Sequence, residues 1–267
     1  MNKPFFLRNG PAGRAGEGVC VNIPTREALL SDIRTRWQAG QGFSVATLNL
    51  DHMVKLRRDP AFLKAYQAHS HVVADGNPIV WLSRIAGNPV SLVPGSELVT
   101  PISALAAAED IPIALLGSSP EALKRASEHL QATHPGLRIV AQISPGYGFD
   151  PDSAEADTCI DKLRAAGARL CFVALGAPKQ ERFAIRAANA LPALGLVSVG
   201  AGLDFIAGEQ RRAPAWIRAL ALEWIWRLMS DPARLARRYW DCIIIFPGLA
   251  AAAARQRRIT SGDAQKP

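Results

Sequence analysis

From about residue 18 to 207 the chain alternates two hydrophobic rhythms. Short continuous runs of β-branched and other apolar residues end in Gly, Asn or Asp, and each is followed by a stretch with helical spacing. The runs are 19–23, 43–48, 71–74, 113–116, 137–143, 170–175 and 196–199, and the spacing between them predicts helices over 25–38, 60–68, 120–132 and 153–166. A continuous apolar run marks a strand buried on both faces. Strands alternating with helices of this length therefore predict βαβ units and an α/β core, with a mostly parallel sheet covered by helices on both faces. After Gly208 no strand candidate remains. Residues 214–229 have helical spacing with Pro214 in the first turn, and Asp231-Pro232 reads as an N-cap and first-turn proline opening another helix. The expected organisation is a core over 1–207, a helical appendage over 208–258 and a polar, disordered tail over 259–267.

Composition sharpens the picture only in the appendage. The 267 residues are 49% hydrophobic and 20% charged, enough for a full core and incompatible with wholesale disorder. The net charge is +8, yet residues 1–207 hold 20 basic against 18 acidic groups. Residues 208–258 hold ten arginines, no lysine and four acidic groups, together with Trp216, Trp224, Trp226, Tyr239 and Trp240. Such a run is most often a solvated face. Arginine beside tryptophan is also the composition of an interfacial membrane binder, and arginine grips phosphates bidentately where lysine supplies a point charge. Nucleic acid would use the same residues, but no nucleic-acid motif accompanies them, so that partner is not expected. The apolar segment 242–254 contains Pro247-Gly248 and is too short to span a bilayer, for which roughly 20 residues are needed. It could lie in an interface or bind a second subunit. No signal-peptide pattern opens the sequence, and the four scattered cysteines suit neither zinc nor disulfides, so a cytoplasmic location is expected.

Ligands of an open parallel sheet bind beyond the carboxyl ends of its strands. The runs deliver there Thr47, Asn49 and His52, then Asp75-Gly76-Asn77, then Gly117-Ser118-Ser119-Pro120, then G-A-P-K-Q-E at 176–181, then G-A-G-L-D-F at 200–205. Asp75 could act as a general base or belong to an Asp-Gly turn capping the next helix. Gly117 and Ser118 could begin a phosphate-accepting helix start or an ordinary serine cap. In 176–181, Lys179 could face a diphosphate and Gln180 could bond a sugar or base, with Gly176 and Glu181 alongside; a solvated first turn is the alternative. Asp150-Pro151-Asp152 matches a metal-binding D-x-D but sits in a Pro/Gly-rich loop and reads as a turn. The glycines at 200 and 202 make half a dinucleotide fingerprint, with Phe205 where its third glycine belongs.

Taken together, T-L-N-L-D-H, A-D-G-N-P-I-V-W, P-G-S-E-L, L-L-G-S-S-P, H-P-G-L-R-I-V, G-A-P-K-Q-E, G-A-G-L-D-F-I-A-G-E-Q-R-R-A-P-A-W, L-E-W-I-W-R-L and D-P-A-R-L-A-R-R-Y resemble the WecG/TagA/CpsF family, glycosyltransferase family 26, from about Thr47 to Tyr239. The resemblance implies a Rossmann-like core and inverting, metal-independent transfer from a UDP-sugar to a polyprenyl-diphosphate-linked saccharide. It implies no cofactor, a place on the cytoplasmic membrane face, and a role in cell-surface or exopolysaccharide synthesis. By motif, the base falls on Asp75, its support on Thr47 and Gln180, and the appendage arginines on Arg227, Arg234 and Arg237. Asn49, Gly76, Asn77, Gly117, Ser118, Gly176, Lys179, Glu181, Gly200 and Arg212 are the expected substrate contacts. Many members carry arginine two residues before the position of Pro94, where this chain has Leu92. N-acetylmannosamine, N-acetylmannosaminuronic acid and glucose donors all stay open, as do the rival readings of a nucleotide or nucleic-acid binding module and of a UDP-sugar hydrolase or epimerase.

Overall fold

A computed structural model describes residues 5–8, 18–210, 214, 226, 228–229 and 232–263. In chain order its strands are β1 (Phe5–Arg8), β2 (Gly18–Val21), β3 (Phe43–Leu48), β4 (His71–Ala74), β5 (Ile113–Gly117), β6 (Ile139–Ile143), β7 (Leu170–Ala174) and β8 (Gly195–Ser198). The last six form one sheet, ordered β4-β3-β8-β7-β5-β6, with every neighbouring pair parallel. Every residue of β3, β4, β5 and β8 is buried, as continuous apolar runs require, whereas β6 at the sheet edge alternates between partly covered and exposed positions before the buried Ile143.

The run at 19–23 departs from expectation. It becomes β2, which pairs antiparallel with β1 in a separate two-stranded sheet. Asn22 stops it from joining the main sheet as a strand: its side-chain oxygen accepts the Val72 N–H at 2.7 Å, and its own N–H donates to the Val72 carbonyl at 3.2 Å. The polar hook covers the outer edge of β4, which would otherwise offer unpaired backbone groups.

The helices are α1 (Arg26–Gln38), α2 (Leu50–Leu56), α3 (Pro60–Ala68), α4 (Asn77–Ile85), α5 (Gly95–Ala108), α6 (Pro120–Thr133), α7 (Ala154–Ala165), α8 (Lys179–Ala190), α9 (Gly202–Ile206) and α10 (Pro232–Asp263). Thr25, Asp59 and Ser119 cap α1, α3 and α6 by accepting backbone N–H groups of Ala28, Phe62 and Ala122, each three residues on. Along β3, Val45 packs with Ile33, Ile102 and Leu203 on one face of the sheet, while Ala46 and Leu48 pack with Met53, Phe62 and Ile79 on the other. Leu123 of α6 belongs to the first layer, and Phe183 of α8 to a third cluster on the opposite face with Leu116 and Val173. The chain therefore leaves β5 and β7, which are neighbours, toward opposite faces. That reversal opens a crevice at their carboxyl ends.

A helix beginning at Pro232 forms as the sequence predicts, its expected cap Asp231 lying outside the described residues, but Pro247-Gly248 does not break it. An internal proline forfeits a backbone hydrogen bond. Here tertiary packing offsets the loss: Leu249 and Ala253 bury themselves in the α2–α4 cluster. The tail expected to be disordered from residue 259 is instead helical as far as Asp263, because the preceding Ala, Gln and Arg residues propagate a formed helix at little cost. Among the described residues no helix is long and apolar enough to cross a membrane.

Candidate active site

The site is built where β4 and β3 end. The Asp75 N–H donates to the Leu48 carbonyl at 2.7 Å, carrying the ladder one residue past β4 and setting Asp75, half-buried, beside the end of β3. Gly76, at φ +110°, is the N-cap residue of α4. The turn therefore needs glycine at 76. Asn77 follows, half-buried, as the first residue of α4.

Thr47 is buried at the end of β3, directly under the start of α5. A Cβ on Gly95 would lie 2.9 Å from Thr47 Oγ1 and 3.2 Å from the Ser198 carbonyl oxygen, so only glycine lets α5 begin this close to both strand ends. The N-cap residue of α5 is Pro94, whose side chain makes no capping bond. Asn49, an expected substrate contact, uses its side-chain oxygen to cap α2 through the His52 N–H at 2.9 Å.

At the crevice, Gly117 has φ +102° and lies against the Ala174 backbone, and Ser118 has φ +62°. Ser119 is the serine that caps α6. The Ser118 hydroxyl instead donates a short hydrogen bond to Asp204 Oδ1, and its carbonyl accepts the Ser144 hydroxyl at 2.7 Å. Asp204, in α9, was not singled out from the sequence, although it lies in the 200–205 segment five residues past the end of the 196–199 run. The loop 176–181 closes the other side. Gly176 is exposed at φ +70°, Lys179 is half-buried, and Lys55 Nζ donates to the Ala177 carbonyl at 3.2 Å.

Gln180 and Glu181 do not face solvent. They are 2% and 0% exposed: Gln180 lies on the helical stripe of Phe183, Ala184 and Ala187, which packs into the core, and Glu181 is buried beside it. Glu181, an expected substrate contact, is thus enclosed by the protein in this structure. Burial raises the Glu181 carboxyl to about 7, partly countered by a hydrogen bond from Gln180 and by the Lys55 ammonium. Tyr66, fully buried, lies in the field of both Glu181 and Asp75, and its hydroxyl is raised first by burial and then by those two carboxylates. His52 makes a 3.0 Å hydrogen bond to Tyr66 Oη and packs edge-on against Phe62; burial holds it near 3, so it is a neutral packing residue.

The appendage reaches this layer through Arg238. Asp51, nearly buried, pairs at 2.9 Å with Arg238 of α10 and at 2.9 Å with Lys55 of its own helix. Arg237 is exposed; Arg234 lies in α10; Arg212 and Arg227 fall outside the described residues. Asp150 Oδ1 accepts the Asp152 N–H and Asp152 pairs with Arg182, which makes the D-x-D a turn. Among the described residues no group of three or more His, Cys, Asp or Glu could hold a metal ion.

A family model described as glycosyl transferase WecG/TagA/CpsF family matches residues 17–260. The chain is 26% identical over 236 residues to a Bacillus spizizenii protein named N-acetylglucosaminyldiphosphoundecaprenol N-acetyl-beta-D-mannosaminyltransferase, covering 88% of each. It is 26% identical over 223 residues to a Staphylococcus aureus protein of the same name, covering 82% of this chain and 85% of the other.

Proposed function

The chain belongs to the glycosyl transferase WecG/TagA/CpsF family, and on that premise we propose that it moves a sugar from a UDP-sugar to a saccharide carried on a polyprenyl diphosphate. The observation that carries the reading is Asp75: a half-buried carboxylate at a strand end, beside an adjacent strand end and followed by the glycine that begins α4. Asp75 takes the proton of the acceptor hydroxyl. The hydroxyl oxygen bonds to the anomeric carbon as the bond to UDP breaks, and the configuration inverts. The Gly117-Ser118 turn offers backbone N–H groups to the diphosphate, and the appendage arginines Arg227, Arg234 and Arg237 neutralise charge on the leaving UDP or the lipid. The relatives' names favour an N-acetylmannosaminyl donor and an N-acetylglucosamine-bearing lipid acceptor. Leu92 is exposed beside Val93, whose backbone N–H donates to the Ala74 carbonyl, and it presents an apolar surface where many members carry arginine.

The test is UDP release from UDP-N-acetylmannosamine, UDP-N-acetylmannosaminuronic acid and UDP-glucose, with and without a synthetic polyprenyl-diphosphate N-acetylglucosamine, in EDTA. Acceptor-dependent release with the first donor, undiminished by the chelator, is the expected result. Release without acceptor points to a hydrolase or epimerase, and loss of release in EDTA overturns the metal-independent mechanism.

The lipid substrate also calls for contact with the inner membrane face. Supporting it, α10 exposes Trp240, Ile243 and Ile244 at 62%, 58% and 59%, with Arg237 before them and Arg255, Arg257 and Arg258 after. This is the pattern of a helix lying in an interface. Ile243→Asp with Ile244→Asp, both at exposed positions, is expected to abolish co-flotation with anionic liposomes while leaving the melting temperature unchanged. Flotation equal to that of the unsubstituted chain would remove this face from membrane contact.

A further inference from the structure

The buried pair behind the cleft carries a role beyond substrate contact. Gln180 Oε1 lies 3.1 Å from the Gly200 backbone nitrogen, and Gln180 Nε2 lies 2.8 Å from Glu181 Oε1. A backbone N–H can only donate, so the atom facing Gly200 must be the amide oxygen. The amide nitrogen then faces Glu181 and requires an acceptor there. A carboxylate supplies one in either protonation state; an apolar side chain would supply none.

Gly200 is the hinge of a tight assembly. It has φ +54° and begins the turn into α9, and a Cβ two residues later, on Gly202, would lie 3.1 Å from Val99 Cγ2 and 3.2 Å from Ser96 Cα. The Gly200 turn is thus pressed against the start of α5 on one side and tied to the start of α8 by Gln180 on the other. Both helix starts and this turn border the crevice. A flip of the Gln180 amide would set its nitrogen against the Gly200 N–H, two donors face to face, and release the turn.

We infer that Glu181 is a positioning residue: its buried carboxyl locks the orientation of the Gln180 amide and so clamps the Gly200 turn between α5 and α8. The inference about catalysis rests on the transferase reading above, but the clamp itself can be measured without turnover. The measurement is amide hydrogen exchange at Gly200 by NMR, in the full chain, for Glu181→Met, Glu181→Gln and Gln180→Met. Glu181→Met, of similar size but unable to accept, is expected to speed Gly200 exchange by roughly tenfold or more while distant core amides keep their protection. Glu181→Gln, which can still accept, is expected to stay within about threefold of the unsubstituted chain. If Glu181 acts through Gln180, the double Met variant exchanges no faster than Gln180→Met alone. With the correct donor and acceptor, Glu181→Met is also expected to lower kcat roughly 10- to 100-fold with a smaller change in KM.

Unchanged Gly200 exchange in a folded Glu181→Met variant overturns the clamp, as does additivity of the two Met substitutions. Should Glu181→Met fail to fold, Glu181→Asp withdraws the acceptor by one methylene and is read the same way. An unsubstituted chain silent with every donor would sink the transferase reading and leave the exchange comparison standing.

Discussion

Asp75→Asn is expected to lower turnover by about 10²–10⁴-fold, the span of general-base catalysis, while binding of UDP stays within a few-fold. The substitution is nearly isosteric. It leaves untouched the Asp75 N–H bond to the Leu48 carbonyl and the glycine that begins α4. What it removes is the negative charge and with it the capacity to take a proton. Steady-state kinetics with the lipid acceptor, alongside calorimetry with UDP, separate the two effects. Turnover near that of the unsubstituted chain would place the base elsewhere, and loss of UDP binding in step with turnover would make Asp75 a donor-binding residue.

Gly117→Ala carries the largest expected effect on stability. Its new methyl would lie 2.3 Å from the Ala174 carbonyl oxygen and 2.5 Å from the carbonyl carbon. Both atoms are backbone of β7, held in register with β5 at this very pair, so neither can rotate away. The residue would also keep φ +102°, which L side chains avoid. Backbone strain of about 1–3 kcal/mol and overpacking of about 1–3 kcal/mol together give a loss of about 2–6 kcal/mol. In a chain of this size that lowers Tm by roughly 5–20 °C. Gly148→Ala is the control: φ is +85° but nothing lies within 4 Å of its added methyl, so it bears the backbone strain alone. Equal melting temperatures for the two variants would show that the β5–β7 pairing yields to the extra atom.

The strands of the main sheet and the place of Asp75 at a strand end were legible because each depends on short-range information, whereas β1 was not among the runs read from the sequence. A continuous apolar run cannot leave one face in water, and the run His71–Ala74 ends where a charged side chain begins. Strand order was not legible, since the two neighbours of β3 lie far apart in sequence and nothing local to 43–48 names them. Lys179, Gln180 and Glu181 look like a polar first turn open to solvent. Only the spacing to Phe183, Ala184 and Ala187 hints that Gln180 shares the buried stripe, and no local pattern says that Glu181 is buried beside it. In α10 the local rule that Pro-Gly ends a helix lost to burial of Leu249 and Ala253. The same kind of contact decided which arginine meets the core: 237 and 238 are indistinguishable in sequence, and Asp51 pairs with the second.

Pairing β3 with β8 has a consequence for the order in which the molecule is made. Phe43 and Gly195 are in register although about 150 residues apart in sequence, so the middle of the sheet has a high contact order. While the chain is being synthesised, β3 and β4 can pair early, but the flank of β3 that β8 will cover stays bare until Ser198 has emerged. At about 5–20 residues per second, that interval lasts on the order of ten seconds. Thr47 and Asp75 wait through it on a half-built sheet edge, and the Gly200 turn that completes the cleft arrives with the same segment that closes the edge. Site assembly and removal of an aggregation-prone edge are therefore one event.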